Sequence, residues 1–342
     1  MTGFPRISFG MIVLNGEPFV RYNLRALYPF AHEIIVVEGA APGAKNIATA
    51  DGHSRDGTLE TLQRFMADED PDDKVQIITR DGFWSEKDEM SQAYAEQATG
   101  DYLWQIDSDE FYHAEDMQAI ITMLRDDPSI TAVSFEMLTF WGNLDTLADG
   151  WYLRRGANIY HRLFKWGEGY TYVTHRPPTV HNSDGVDVRH LHWINGNTLA
   201  KKNIYMYHYS LLLPKQVQEK SDYYGNTYAD FSGGGKWAQE SFTKLKHPFH
   251  VHNVYRYPSW LERYQGQHPQ QVLNMWHDLK DGGFDIDLRP RNDIDMLLNS
   301  RIYHFKRWLV KYCDYFARLT LPTLRSRIYF KLRLILANNR TV

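Results

Sequence analysis

Cysteine is almost missing from this chain of 342 residues. The single Cys313 excludes an internal disulfide framework and fits a reducing compartment. Long apolar runs are missing too, and none approaches the roughly 18 residues of a membrane-spanning helix. The N-terminal stretch MTGFPRISFGMIVL lacks a charged leading region, and its apolar part is too short for a signal peptide. A cytoplasmic location is expected, either soluble or peripheral at the inner face of a membrane. Basic charge is scarce over the first 300 residues. The net charge is −4, yet Arg301 to Val342 holds ten Lys and Arg against the one acidic Asp314, a local +9, which leaves −13 before it. An acidic body argues against nucleic-acid binding and for one localised anionic contact made by the tail.

What is abundant is aromatic: 14% of the residues, with 22 Tyr and 10 Trp. That exceeds the needs of a core of this size and suits clefts that hold flat faces such as sugars or bases, a Tyr-rich surface being the plainer reading. Short apolar runs alternate with helical patterns through the first half. Ile7–Leu14, Glu33–Glu38, Val75–Ile78 and Tyr102–Ile106 read as strands, and Glu17–Tyr28, a segment beginning near Asp56, and Glu86–Ala98 read as helices. Strands separated by helices of roughly 10–15 residues imply crossover units in an α/β fold with a mostly parallel sheet. The later half is less regular. Thr131–Phe140, Arg162–Lys165 and Ile204–Tyr209 are strand candidates, and Gly225–Lys236 resembles a mobile loop. The length predicts one large α/β unit plus an extension. Its boundaries are set at 1–215 (halves 1–112 and 113–215), a mixed loop and helical segment 216–300, and a basic amphipathic helical tail 301–342.

Ligands of such sheets bind at the carboxyl ends of the strands. The residues there are Asn15, Glu38, Arg80-Asp81 and Asp107-Ser108-Asp109. Two carboxylates at i and i+2 leave a strand end close together, ionised at pH 7, and repel unless a cation or donors compensate. A divalent ion shared with diphosphate oxygens meets that need and neutralises charge on a departing nucleoside diphosphate. Solvated turns also carry this tripeptide, and its place after a fourth strand is what sets it apart. Asp51 to Thr58, with Asp56, forms a tight turn and helix cap whose backbone N–H groups face outward. Glu38 can accept hydrogen bonds from a ribose or base, or be a solvated strand end.

The ordered set Glu33–Glu38, Ser54-Arg55-Asp56-Gly57-Thr58, Thr99-Gly100-Asp101-Tyr102 and Asp107-Ser108-Asp109-Glu110 resembles glycosyltransferase family 2. The resemblance implies a GT-A (Rossmann-like) fold, a nucleoside-diphosphate sugar donor, UDP- or GDP-linked, and Mn2+ or Mg2+. It implies that Asp109 holds the metal directly, that Asp107 serves the metal or the ribose, and that Glu38 sits at the nucleoside, where the family usually has Asp. Asn15 and Asp56 join this donor-binding set, as does Lys87, which lies near the family's donor-contacting basic position. The segment Gly39 to Ala50 departs from the pattern by separating Glu38 from the Ser54–Thr58 run.

A second region is similar to bacterial members that build lipopolysaccharide cores: Arg162-Leu163-Phe164-Lys165, Val173-Thr174-His175, Tyr207-His208-Tyr209, and Lys220 before Tyr223-Tyr224. It implies a glycan or lipid-linked acceptor. His175 is followed by Arg176 where the family commonly has Glu, so Glu168 is the substitute candidate beside His175 for assisting the acceptor hydroxyl. His208 is implied to complete the metal site or bind the donor diphosphate, a packing role being the alternative. His190-Leu191-His192 would chelate zinc if it lay on a strand, though no Cys or H-E-x-x-H pattern accompanies it. In the tail, basic residues alternate with Trp308, Leu309, Val310, Tyr315 and Phe316 and, beyond Pro322, with Ile328 to Ile335. That pattern fits an anionic membrane surface or a helix covering the acidic body. Two other functions compete with sugar transfer. A sugar nucleotidyltransferase would carry a Gly-rich, Arg-containing loop after the first strand, which Leu14-Asn15-Gly16-Glu17 is not. A catalytically silent carbohydrate- or nucleotide-binding protein of the same fold would share the motifs without turnover.

Overall fold

The structure is a computed structural model that describes residues 3–154, 160–227, 237–253 and 257–319. From the N-terminus run β1 (Ile7–Val13), α1 (Phe19–Leu27), β2 (Glu33–Glu38), α2 (Thr58–Asp68), β3 (Val75–Ile78), α3 (Lys87–Gln97) and β4 (Tyr102–Gln105). Next come β5 (Glu110–Phe111), α4 (Ala114–Asp126), β6 (Ala132–Ser134), β7 (Met137–Trp141), β8 (Thr146–Gly150), β9 (His161–Lys165), β10 (Thr171–His175), β11 (Pro178–His181) and β12 (Trp193–Ile194). Then follow α5 (Gly196–Ala200), β13 (Met206–Leu211), α6 (Pro214–Thr227), β14 (Ser259–Arg263), α7 (Gln270–Lys280), α8 (Asn292–Asn299) and α9 (Arg301–Leu319). The chain divides into two compact units. The first comprises 1–137, 156–208 and 267–285, and the second 138–155, 209–266 and 286–342.

The first unit is built on a seven-stranded sheet of order β12-β6-β9-β4-β1-β2-β3. Strands β1 to β4 pair in parallel, β9 runs antiparallel between β4 and β6, and β12 returns parallel to β6. The expected mostly parallel α/β sheet is present, flanked by helices. Both faces are buried, which is why β1, β2 and β4 read as continuous apolar runs rather than alternating ones. Alternation along each strand sends side chains to opposite layers. Phe9, Met11, Ile34, Val36 and Trp104 pack with Val20 and Leu24 of α1, Phe65 of α2 and Ile120 of α4. Ile35, Val37, Leu103 and Phe164 pack on the other face with Met90 and Tyr94 of α3 and with Tyr172 and Val180 of the β10–β11 hairpin. Each large side chain so buried contributes about 1.5–3 kcal/mol.

The strand expected over Thr131–Phe140 is two strands, β6 and β7, interrupted at Phe135-Glu136. There Phe135 N–H donates to the Tyr160 carbonyl at 3.0 Å, and Gly196 approaches so closely that a Cβ on it would lie 2.6 Å from Phe135 C. In the second unit β8 pairs antiparallel with β7 and β14. Trp141, Trp151, Trp237 and Trp260 fill its core. The Arg289 guanidinium lies 4.7 Å over the Trp141 ring and donates to the Phe242 carbonyl at 2.7 Å. Of the expected loop Gly225–Lys236, residues 225–227 end α6, and 228–236 lie outside the described residues. Within the expected tail 301–342, α9 covers Arg301–Leu319, and 320–342 also lie outside the described residues. No helix among the described residues is long and apolar enough to cross a membrane.

Candidate active site

The carboxyl ends of β1, β2 and β4 carry three loops that are bonded to one another. Asn15, left-handed at φ 53°, ends β1, a conformation that Asn tolerates well. Its backbone N–H donates to Ser54 Oγ (3.0 Å), its amide to the Ile47 carbonyl (2.8 Å), and its Oδ1 accepts from Arg55 N–H (2.8 Å). Asp56 accepts from Glu17 N–H (3.0 Å) and from the Thr58 N–H (3.1 Å), so it ties the first residue of α2, just past the Gly57 cap, to the β1–α1 turn. Gly16 N–H donates to Thr58 Oγ1 at 2.7 Å. A Cβ on Gly16 would lie 3.5 Å from Ser108 Oγ, which brings the 107–109 loop against the same turn.

Glu38 is fully buried at the end of β2. Its carboxylate accepts from Ser54 N–H (2.7 Å), Ser54 Oγ (2.8 Å) and Thr79 Oγ1 (3.2 Å), and lies 2.8 Å from His53 Nδ1. Neither the solvated strand end nor an outward-facing acceptor describes it: the side chain holds the 49–57 loop down. Hydrogen bonding to Glu38 raises the His53 pKa.

Asp107 and Asp109 follow β4. Between them and the core lies a charge cluster that composition alone does not reveal. Arg162 of β9 is buried and binds Glu110 through two bonds, Nε to Oε2 at 2.8 Å among them, while its Nη2 stands 3.6 Å from Asp107 Oδ2. Asn23 of α1 donates to the Glu110 carbonyl (2.6 Å), and the Asp107 N–H reaches Glu110 Oε2 at 3.3 Å. Burial alone would raise the Asp107 carboxyl, but Arg162, followed by His175, Arg176 and His208, together outweigh it and hold the group well below the usual carboxylate range. For Arg162, burial pulls the pKa down and Glu110 and Asp107 more than restore it, so the guanidinium is a permanent cation. The repulsion expected between neighbouring carboxylates is thus answered, on the Asp107 side, by a protein cation. The signal for it was the basic residue opening Arg162-Leu163-Phe164.

Asp109 faces the strand ladder in which His208 of β13 pairs with Glu110 of β5. Its Oδ1 lies 3.5 Å from His208 Nε2, and both side chains are half-buried. The sequence-predicted pair is therefore brought together across 99 residues of chain. A carboxylate oxygen and an imidazole nitrogen at this spacing can both reach one divalent ion at about 2.1 Å, with remaining positions left to diphosphate oxygens and water. The residues present fit Mn2+ or Mg2+. Among the described residues no group of three or more His, Cys, Asp or Glu side chains could hold a metal by itself. The zinc reading loses its premise: Val188–His190 is a 3-10 turn rather than a strand, and His192 Nδ1 lies 2.8 Å from Ser129 Oγ.

His175 ends β10 beneath α3. Its N–H donates to Asp88 Oδ1 (2.7 Å) and its Nδ1 lies 2.9 Å from Ser91 Oγ. Burial, with help from Lys87 and Arg176, brings its pKa down to about 3 against the pull of Asp107, so the ring is neutral at pH 7. A base of that strength takes up protons poorly at neutral pH and suits hydrogen bonding instead. Lys87, the first residue of α3, is close enough to act electrostatically on His175. Glu168 lies exposed in the turn between β9 and β10 and is not brought to Asp107 or Asp109 by any described bond.

A half-parallel, half-mixed sheet with an acidic loop after β4 and a histidine returning beside it defines a GT-A-type α/β domain. Residues 8–171 match the family model of glycosyl transferase family 2. No curated protein matches the chain. S. aureus TarS in complex with UDP-GlcNAc is similar at 15% identity over 40% of this chain and 36% of that one, TM-score 0.32. The chain thus spans about a third of that relative's length. S. aureus TarS residues 1–349 align at 11% identity over 68% and 74%, TM-score 0.40. Glucosyl-3-phosphoglycerate synthase from Mycobacterium tuberculosis, in complex with Mn2+ and UDP-glucose, aligns at 18% identity over 40% and 44%, TM-score 0.28. All three likenesses are distant.

Proposed function

We propose that this protein transfers a sugar from a UDP- or GDP-linked donor to a glycan or lipid-linked acceptor, assisted by Mn2+ or Mg2+. The observation that carries the proposal is the approach of Asp109 to His208, 3.5 Å apart at the end of β4, in the stretch that matches the family 2 model. When bound, the ion would supply Lewis-acid neutralisation of the departing nucleoside diphosphate. Asp109 and His208 would hold it. Arg162 fixes Asp107 and, through Glu110, the loop that presents both aspartates. Asn15, Glu38, Asp56 and Lys87 frame the donor side, the first three by shaping the loops and Lys87 by its charge. Acceptor assistance is assigned to Glu168 and to His175, the latter as a neutral hydrogen-bonding group. The basic segment 301–342 brings the enzyme to an anionic membrane surface from the cytoplasmic side.

Isotope-labelled UDP- and GDP-sugars incubated with the protein and Mn2+ test the reading. Slow hydrolysis, lost on chelation, is the expected result. No turnover with any metal, together with nucleotide binding, would make the protein a silent binding domain instead.

A further inference from the structure

Helix α9 presents two faces of opposite character. On one, Tyr303 and Val310 are buried. The Tyr303 hydroxyl accepts from Leu261 N–H at 2.8 Å and donates to its carbonyl at 3.1 Å, and the Trp151 indole donates to the Val310 carbonyl at 3.3 Å. On the other, Ile302, Phe305, Trp308 and Tyr312 recur every three or four residues and are 65%, 64%, 57% and 48% exposed. Their rings make a continuous strip. Phe305 and Trp308 stack with centroids 6.2 Å apart, and Trp308 and Tyr312 at 5.5 Å. Helical spacing sets Arg301, which is exposed, and Lys306 along the borders of this strip. Among the described residues the buried side of α9 is the Tyr303 side, and the strip stays about half to two-thirds exposed.

We propose that α9 lies in the plane of an anionic lipid surface with Ile302, Phe305, Trp308 and Tyr312 inserted beneath the headgroups. The inference deepens the membrane reading of 301–342 and is independent of sugar transfer. Charge selects the occupant. The segment carries +9 and the preceding residues −13, so an anionic bilayer attracts this element and repels the remainder. A second copy would set two +9 segments face to face. Trp and Tyr rings, apolar in body and polar at the tip, match the boundary between headgroup and acyl chain. Four basic residues within Arg301–Lys311 forbid spanning and favour lying flat.

The test is co-sedimentation of the full chain with vesicles of phosphatidylcholine alone and of an equal mixture with phosphatidylglycerol. Wild type should bind the mixture and keep part of that binding at high salt. Phe305→Ser/Trp308→Ser should weaken binding by about tenfold or more and abolish the salt-resistant part, with the melting temperature unchanged because both side chains are exposed. Arg301→Gln/Lys306→Gln should weaken binding by about tenfold at low salt. Unchanged binding by the aromatic variant would overturn insertion while leaving electrostatic attachment standing. Absence of wild-type binding would overturn both. Self-association that the aromatic variant loses, without vesicle binding, would reassign the strip to a second copy and overturn the proposal. The labelled-sugar assay on the same preparations separates the two readings. Active protein that ignores vesicles sinks only the membrane claim, and inactive protein that binds them sinks only the catalytic one.

Discussion

Replacing Arg162 by Met keeps the length of the buried side chain and removes its charge. Glu110, with no exposed surface, and Asp107, 3.6 Å from the guanidinium, then lose their shared cation. Removing one partner of a buried pair costs about 3–5 kcal/mol, because the other charge stays behind without compensation. At about 2–4 °C per kcal/mol for a domain of this size, the melting midpoint should fall by roughly 6–20 °C. The loss should depend on pH with a definite sign. Burial already pushes the Glu110 carboxyl up, and without Arg162 it rises further, so its contribution is full below the unfolded pKa and lost as the pH rises through the folded one. Asp107 is depressed in the wild type, so the stability it gains from Arg162 is present above the unfolded pKa near 3.9 and lost as the pH falls through the folded value. The Asp107 effect is constant between pH 5 and 8, so Glu110 alone makes the gap between variant and wild type widest near pH 8 and narrower toward pH 5. The companion Arg162→Met/Glu110→Gln should recover most of the deficit. Thermal melts followed by circular dichroism from pH 5 to 8 measure all of this. A loss under about 1 kcal/mol, or one indifferent to pH, would refute the account of the cluster.

Asp109→Asn should abolish metal-dependent transfer and leave the melting temperature within a degree or so of wild type, and wild-type rates in that variant would remove Asp109 from the metal. His208→Ala should weaken Mn2+ binding, read by electron paramagnetic resonance, by at least about tenfold, since even outer partners of metal ligands are worth that much. An unaltered affinity would leave His208 as a packing residue. Gly196→Ala would place a Cβ 2.6 Å from Phe135 C and 2.7 Å from Glu136 N, backbone atoms with little room to yield. Urea denaturation should show a loss of about 1–3 kcal/mol, and neutrality would mean that the Phe135-Glu136 peptide shifts freely.

The parts of the fold legible in the sequence are those set by neighbours in the chain. Glu33–Glu38 and Val75–Ile78 are strands over the very residues their apolar runs marked, the first because both its faces are buried, the second as an edge strand paired to it with Gln76 exposed. Asp107-Ser108-Asp109 falls after β4 as the crossover pattern required. What escaped was set by residues far away. Nothing local at Phe135 announces that Gly196 will press on its carbonyl carbon. Glu38 reads as a strand-end carboxylate free to meet a ligand, and only the folded chain turns His53, Ser54 and Thr79 upon it. Arg162 and Glu110 are 52 positions apart, and each alone looks like an ordinary surface charge. His208 was the exception, found by family resemblance rather than by pattern.

The backbone crosses from one compact unit to the other five times, after residues 137, 155, 208, 266 and 285. No single scissors cut in the gene yields either half as a polypeptide. A fragment ending at 215, where composition invites a boundary, would lack the 267–285 stretch of the first unit and strand β14, the partner of β8 in the second. On the ribosome, too, neither half can close until most of the message has been read, so the nascent chain must hold its early strands in waiting. Dissection by circular permutation, rather than by truncation, is what this connectivity demands.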